Sequence, residues 1–114
     1  MNIDFKKSNG LVPVIAQEYR TNEILMLGYM NKEAFDLTIE TKIVHYFSRS
    51  KNRIWKKGEE SGHIQKLVDL RVDCDEDTLL VIVEQVGNTA CHTGAKSCFY
   101  RSYLQKENQR TIVS

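Results

Sequence analysis

Two apolar runs, LVPVIAQEY at residues 11–19 and EILMLGYM at 23–30, stand apart by only Arg20, Thr21 and Asn22. So short a gap cannot hold a crossover and can only turn the chain back, so the pair predicts an antiparallel hairpin. Pro13 has no N–H to give to a ladder, which places its strand at a sheet edge or makes it start late. The next segment, NKEAFDLTIETK, changes period. Asn31 is an N-cap candidate, Glu33 falls in the first turn where the macrodipole favours an acid, and Ala34, Phe35, Thr38 and Ile39 line one face. One short helix is predicted there.

Strand-like runs follow at 43–50 (IVHYFSRS), 63–74 (HIQKLVDLRVDC) and 79–86 (LLVIVEQV). Val68, Leu70 and Val72 alternate with Asp69 and Arg71, as in a half-exposed strand, whereas unbroken Leu79 to Val83 suits a strand covered on both faces. SCFYRSYL (97–104) reads as a last strand before a polar tail, 104–114. The expectation is a single domain, 1–114, of the α+β class with a mostly antiparallel sheet. With 41% hydrophobic and 27% charged residues, one proline and no low-complexity run, the chain is expected to fold compactly.

A net charge of +1 creates no demand for nucleic acid or a membrane surface. The N-terminus lacks the apolar stretch of a secretory signal, and no apolar run approaches the ~20 residues that span a bilayer, so a cytoplasmic location is expected. In a reducing compartment the three cysteines stay free, which favours metal binding or catalysis over a disulfide framework.

Three constellations carry chemistry. In DCDED, Asp73, Asp75 and Asp77 are spaced by two, so extended backbone would put their carboxylates on one face. A hard cation such as Mg²⁺ or Ca²⁺ would relieve their repulsion; the plain alternative is a solvated acidic turn. Cys74, Cys91 and Cys98 are too few to close a structural zinc site but suffice for a catalytic one with an open fourth position. Cys98, beside Phe99, could equally be a buried apolar residue, and a redox pair of Cys91 and Cys98 requires the fold to bring them within disulfide reach. Three thiolates leave zinc with net negative charge, which makes a nearby base useful; His92 and His63 are the candidates, and His45 is read as structural. Finally, Arg49, Lys51, Arg53, Lys56 and Lys57 surround Trp55, a pattern suited to phosphates and a stacked base or to single-stranded nucleic acid.

Taken together, LMLGYMNKEAF, HYFSRSKNRIWKKGEESGHIQ, DCDEDTLL and EQVGNTACHTGAKSCFYR closely resemble phosphoribosyl-AMP cyclohydrolase, over a motif-bearing core of about residues 11–101. The resemblance implies a strongly curved sheet in an intertwined homodimer. It implies one Zn²⁺ per subunit on Cys91 and Cys98 with Cys74 from the partner subunit, and Mg²⁺ on Asp73, Asp75 and Asp77. It also implies catalytic roles for His92 and His63, and contacts to a phosphorylated nucleotide from Arg49, Ser50, Trp55, Lys57, Gly58, Ser61, His63 and Gln65. The implied reaction is hydrolytic opening of the adenine ring of 1-(5-phosphoribosyl)-AMP between N1 and C6, a step of histidine biosynthesis, by zinc-activated water.

The H-x-E and P-C-x-x-C pair of the zinc nucleobase deaminases is absent, which favours ring opening over deamination. The chain departs from the family pattern at Asn88 and Thr89, where one proline is usual, and at Ala95, where a basic residue is usual. Many relatives carry a downstream pyrophosphohydrolase domain; here that step is expected from another polypeptide. The rival reading is a nucleic-acid-binding module with a structural metal and a basic loop at 49–57.

Overall fold

The computed structural model describes residues 3–91 and 93–105. The predicted hairpin forms: β1 (Val12–Glu18) pairs antiparallel with β2 (Ile24–Met30), with a bulge at Ala16/Gln17. Helix α1 (Lys32–Thr41) follows, started as predicted by Asn31, whose Oδ1 accepts from Ala34 N at 2.8 Å. It ends where Lys42 turns left-handed and donates its N–H to Thr38 O. Ala34 and Thr38 are buried and Phe35 packs on the core, but Ile39 is exposed.

A second hairpin comes next, β3 (His45–Ser48) with β4 (Arg53–Lys56). The basic stretch expected to be a loop therefore contains a strand, in which Trp55 lies opposite Tyr46 with ring centroids 5.2 Å apart. The chain then enters a third hairpin, β5 (Gln65–Val72) with β6 (Leu79–Gln85).

The main sheet runs β2-β1-β6-β5, and its middle pair, β1 with β6, is parallel. The sheet is thus mixed, and in place of one strongly curved sheet there are an open four-stranded sheet and a separate two-stranded hairpin. The separation has a packing cause. Tyr46 is fully buried on β2 at Gly28, where an added Cβ would lie 2.6 Å from its ring, so β3 docks on the face of the sheet instead of extending its edge. Residues 97–104 form no strand. Pro13 is tolerated in a central strand because β6 joins β1 only from Val14 onward.

Val12, Val14 and Ala16 from β1 and Leu79, Val81 and Val83 from β6 face the same core as Leu25, Met30, Ala34, Val44 and Tyr46. Each fully buried aliphatic side chain there contributes about 1.5–3 kcal/mol. On β5 the expected alternation breaks: the register shifts between Leu67 and Asp69, Val68 turns out to solvent, and Leu67, Leu70 and Val72 pack inward. No helix among the described residues is long and apolar enough to cross a membrane.

Candidate active site

The segment after β6 carries the sulfur pair. It begins with a short 3-10 turn, Val86–Asn88, in which Gly87 has φ 79°. The chain then folds back on itself: Ala90 N donates to Lys96 O and Cys91 N to Ala95 O, both at 3.1 Å, around Gly94 at φ 94°. The return limb is stitched to the start of β2, Ser97 Oγ donating to Ile24 O at 2.6 Å and Cys98 N to Leu25 O at 2.7 Å. This narrow turn is what makes a seven-residue interval workable, because it brings the Cys91 and Cys98 thiols close enough to shift each other's ionisation.

Their surroundings differ. Thr93 Oγ1 donates to Cys91 Sγ at 3.0 Å, and this bond, helped by the Thr93 backbone, Cys98 and the Lys57 charge, holds the Cys91 thiol below its ordinary pKa. Burial and the neighbouring Cys91 push the Cys98 thiol up. Cys91 is therefore the thiol that ionises first. The half-buried Lys57 ammonium donates to Ala90 O; burial lowers its pKa while the two sulfurs act the other way.

Between this segment and the β3–β4 hairpin lies a cavity of about 650 Å³, within the size range of small-molecule sites. Trp55, Lys57, Gly58, Ser61, His63 and Cys91 line it, together with Lys51, Arg53 and Lys56. Two glycines seat His63: an added Cβ at Gly58 would strike its backbone at 2.4 Å, and one at Gly87 would strike its ring at 2.3 Å. Arg49 and Ser50 lie in an adjoining cleft that shares Trp55, with the Arg49 guanidinium 4.0 Å above the Tyr29 ring.

Gln65 lines neither space. It is fully buried, accepting from Tyr46 Oη at 2.6 Å and donating to Gln85 Oε1 at 2.9 Å, so within the chain its amide is spent on the core. Gln85 in turn donates to His63 O at 3.0 Å, and its own N–H is held by the buried Glu18 carboxylate at 2.9 Å. Thr93, Gln85, Glu18 and Gly87 were not singled out from the sequence. Only Thr93 had a local signal, its place two residues after a candidate ligand. His92 lies outside the described residues, and His45 is structural, with Nδ1 bonded to Ile43 O at 2.8 Å.

The acidic triplet sits in the β5–β6 turn. Asp73, Asp75 and Asp77 bring ligand atoms within 4.8 Å of one another. They do so through a turn and not through strand alternation: Asp73 Oδ1 accepts from Asp77 N and Thr78 N, and Glu76 has φ 63°. Burial works against the Asp73 carboxylate, yet these amides hold its pKa below the ordinary range. Cys74, exposed, shares this turn. The turn leads into the start of β6 and the sulfur pair follows its end, so strand length alone separates them by about 20 Å. Among the described residues of one chain, no cluster of three or more potential metal ligands includes a cysteine.

The profile of the phosphoribosyl-AMP cyclohydrolase family matches residues 26–100, which include the cavity-lining residues, both thiols and the acidic turn. The chain belongs to the phosphoribosyl-AMP cyclohydrolase family. It is 50% identical over 108 residues to the phosphoribosyl-AMP cyclohydrolase of Desulforapulum autotrophicum, covering 95% of this chain and 86% of that one. To the enzyme of Streptococcus mutans it is 50% identical over 107 residues, 94% of this chain and 97% of that one. It is also 61% identical over 99 residues to the histidine biosynthesis bifunctional protein of Wolinella succinogenes, covering 87% of this chain but 42% of that longer relative.

The donor sets suit the metals that the sequence resemblance to the cyclohydrolases implies. Two neighbouring thiols, one with a lowered pKa, offer the soft donors that zinc takes, and three converging carboxylates offer the hard donors that magnesium takes.

Proposed function

We propose that this chain is a hydrolase that opens the adenine ring of 1-(5-phosphoribosyl)-AMP, acting in the cytoplasm as a homodimer in histidine biosynthesis. One observation carries the reading: Cys91, with Cys98 as its neighbour, lines a nucleotide-sized cavity together with Trp55, Lys51, Arg53 and Lys56. Zinc would be held by Cys91 and Cys98 with Cys74 of a second copy, because the chain's own Cys74 lies at the far end of β6. Magnesium would be held by Asp73, Asp75 and Asp77. When bound, zinc supplies Lewis acidity for activating water, and magnesium supplies charge to offset phosphate.

The remaining work falls to the chain's own groups. Lys51, Arg53 and Lys56 oppose the two phosphates, and Arg49 and Ser50 extend this field into the adjoining cleft. Trp55 offers a flat apolar face to a base. Ribosylation at N1 makes C6 electrophilic, so water adds at C6, the N1–C6 bond breaks, and N1 leaves with a proton. His63, seated on Gly87 and held through its backbone by Gln85, is the described residue we propose to move that proton. His92, next to Cys91, is the second candidate.

Family membership disfavours the nucleic-acid module, whose structural metal would also need a fourth protein ligand. The test is an assay with the N1-ribosylated AMP, following the ring-opened chromophore with and without a zinc chelator. Turnover that vanishes on chelation and returns with zinc supports the reading. Undiminished turnover in the zinc-free protein, or none with zinc restored, refutes it.

A further inference from the structure

Lys57 stands in the basic stretch that faces the cavity, and by position it would be counted with the phosphate-binding cations. Its contacts point elsewhere. The ammonium is half-buried and donates to the carbonyl of Ala90, the residue immediately before Cys91. The charged groups that act on it are the two sulfurs, Cys98 and Cys91. Glu59, which lines the same cavity, is engaged with Arg53 at 2.7 Å and with the backbone of Lys56. Partial burial of an ammonium is costly unless a polar partner faces it, and the Ala90 carbonyl next to Cys91 is that partner. The Lys57 ammonium also lies over the Trp55 ring, with Nζ 5.8 Å from the ring centroid.

We infer that Lys57 is a positioning residue for the sulfur pair: it anchors the Cys91 turn through Ala90 and offsets the negative charge of the thiolates, and it does not serve as a phosphate ligand. The inference rests on the zinc reading above. A zinc ion on three thiolates carries an excess negative charge, and one fixed cation beside it restores neutrality. Groups that orient or balance metal ligands in this way typically affect metal affinity by 10–100-fold when removed.

The experiment separates metal retention from substrate binding. Zinc affinity of purified parent, Lys57→Met and Lys57→Arg is measured by competition with a chromophoric chelator, and KM and kcat are measured at saturating zinc. The expected result is zinc binding weaker by about tenfold or more in Lys57→Met, with KM within about twofold of the parent and much of the affinity recovered in Lys57→Arg. Parental zinc affinity combined with a raised KM in Lys57→Met would overturn the inference and return Lys57 to the substrate contacts. Should Lys57→Met fail to fold, as judged by its melting curve, Lys57→Gln keeps a donor for Ala90 without the charge and is read by the same criteria. A parent that binds no zinc through Cys91 and Cys98 would sink the zinc reading, and this inference with it.

Discussion

The two ends of β6 solve opposite problems. At its start, a tight turn, pinned by Asp77 N and Thr78 N on Asp73 Oδ1 and by Asp4 N on Glu76 O, converges three carboxylates within 4.8 Å, so the candidate hard ligands lie within five residues of chain. At its end, the thiols are placed by long-range bonds to β2 and by a fold-back turn, yet only two candidate soft ligands arrive. The third, Cys74, sits at the opposite end with the acids. On the zinc reading proposed above, cysteines at opposite ends of one strand would meet only if a second copy brought its acidic end to the first copy's sulfur end.

The largest test of this contrast removes the sulfur end. Cys91→Ser is expected to abolish turnover by more than about a thousandfold and to lower zinc content, read by steady-state assay and metal analysis. Cys74→Ser should do the same although it lies far from the cavity of its own chain. If the ligands are pooled between copies, mixing the two inactive variants and re-associating them restores about a quarter of parental activity, since half the dimers are mixed and each holds one complete site. Failure of the mixture to regain activity, with mixed dimers confirmed by mass spectrometry, breaks the pooled-ligand picture.

At the acidic end the effect should be smaller. Asp75→Asn removes one hard ligand without touching the amide-accepting role of Asp73, so magnesium titrations should shift by about tenfold while zinc content stays unchanged. Loss of zinc in this variant would show that the two ends are not separable.

The buried Glu18 carboxylate, which holds the last residue of β6, gives a stability test with a pH signature. Glu18 is pushed up by its burial, but the N–H groups of Gln85 and Arg20 and the Arg20 guanidinium outweigh this and leave its pKa lowered. A carboxyl lowered in the folded state stabilises above its unfolded pKa and loses that contribution as pH falls through the folded one. Glu18→Gln should therefore cost about 1–3 kcal/mol near neutrality, and the gap to the parent should narrow in acid. Urea melts at two pH values decide it; a gap that is constant or widens in acid removes the charge argument.

The contrast also explains what the sequence could reveal. The first hairpin, the helix with its Asn31 cap and the acidic triplet were legible because their determinants are local: a three-residue gap, a change of period, a run of like charges. The parallel union of β1 with β6 was not legible, since short turns specify how a hairpin closes and say nothing about how two hairpins join. Strand β4 was hidden because Arg53-Ile54-Trp55-Lys56 looks like charged loop until Tyr46 lies opposite Trp55. Residues 97–104 misled for the converse reason: the stretch is rich in aromatic and apolar residues, but Ser97 and Cys98 spend their groups on tying the turn to β2. The cysteines stood out as candidate ligands, whereas the approach of Cys91 to Cys98 depended on a fold-back turn that local sequence only hints at.

The smallest expected effect sharpens the sulfur end itself. Thr93→Val keeps shape but removes the hydroxyl that donates to Cys91 Sγ, the leading cause of that thiol's lowered pKa. In zinc-free protein, alkylation of Cys91 followed by site-resolved mass spectrometry should then slow by a few-fold at neutral pH, with the midpoint of its pH–rate curve moved upward. Cys98, raised by burial and by its neighbour, provides the internal control, because Thr93 does not touch it directly. An unchanged Cys91 curve would mean that the charge of Lys57 and the contact with Cys98 suffice to favour the thiolate, and would shift the weight of the sulfur end from the threonine to the lysine.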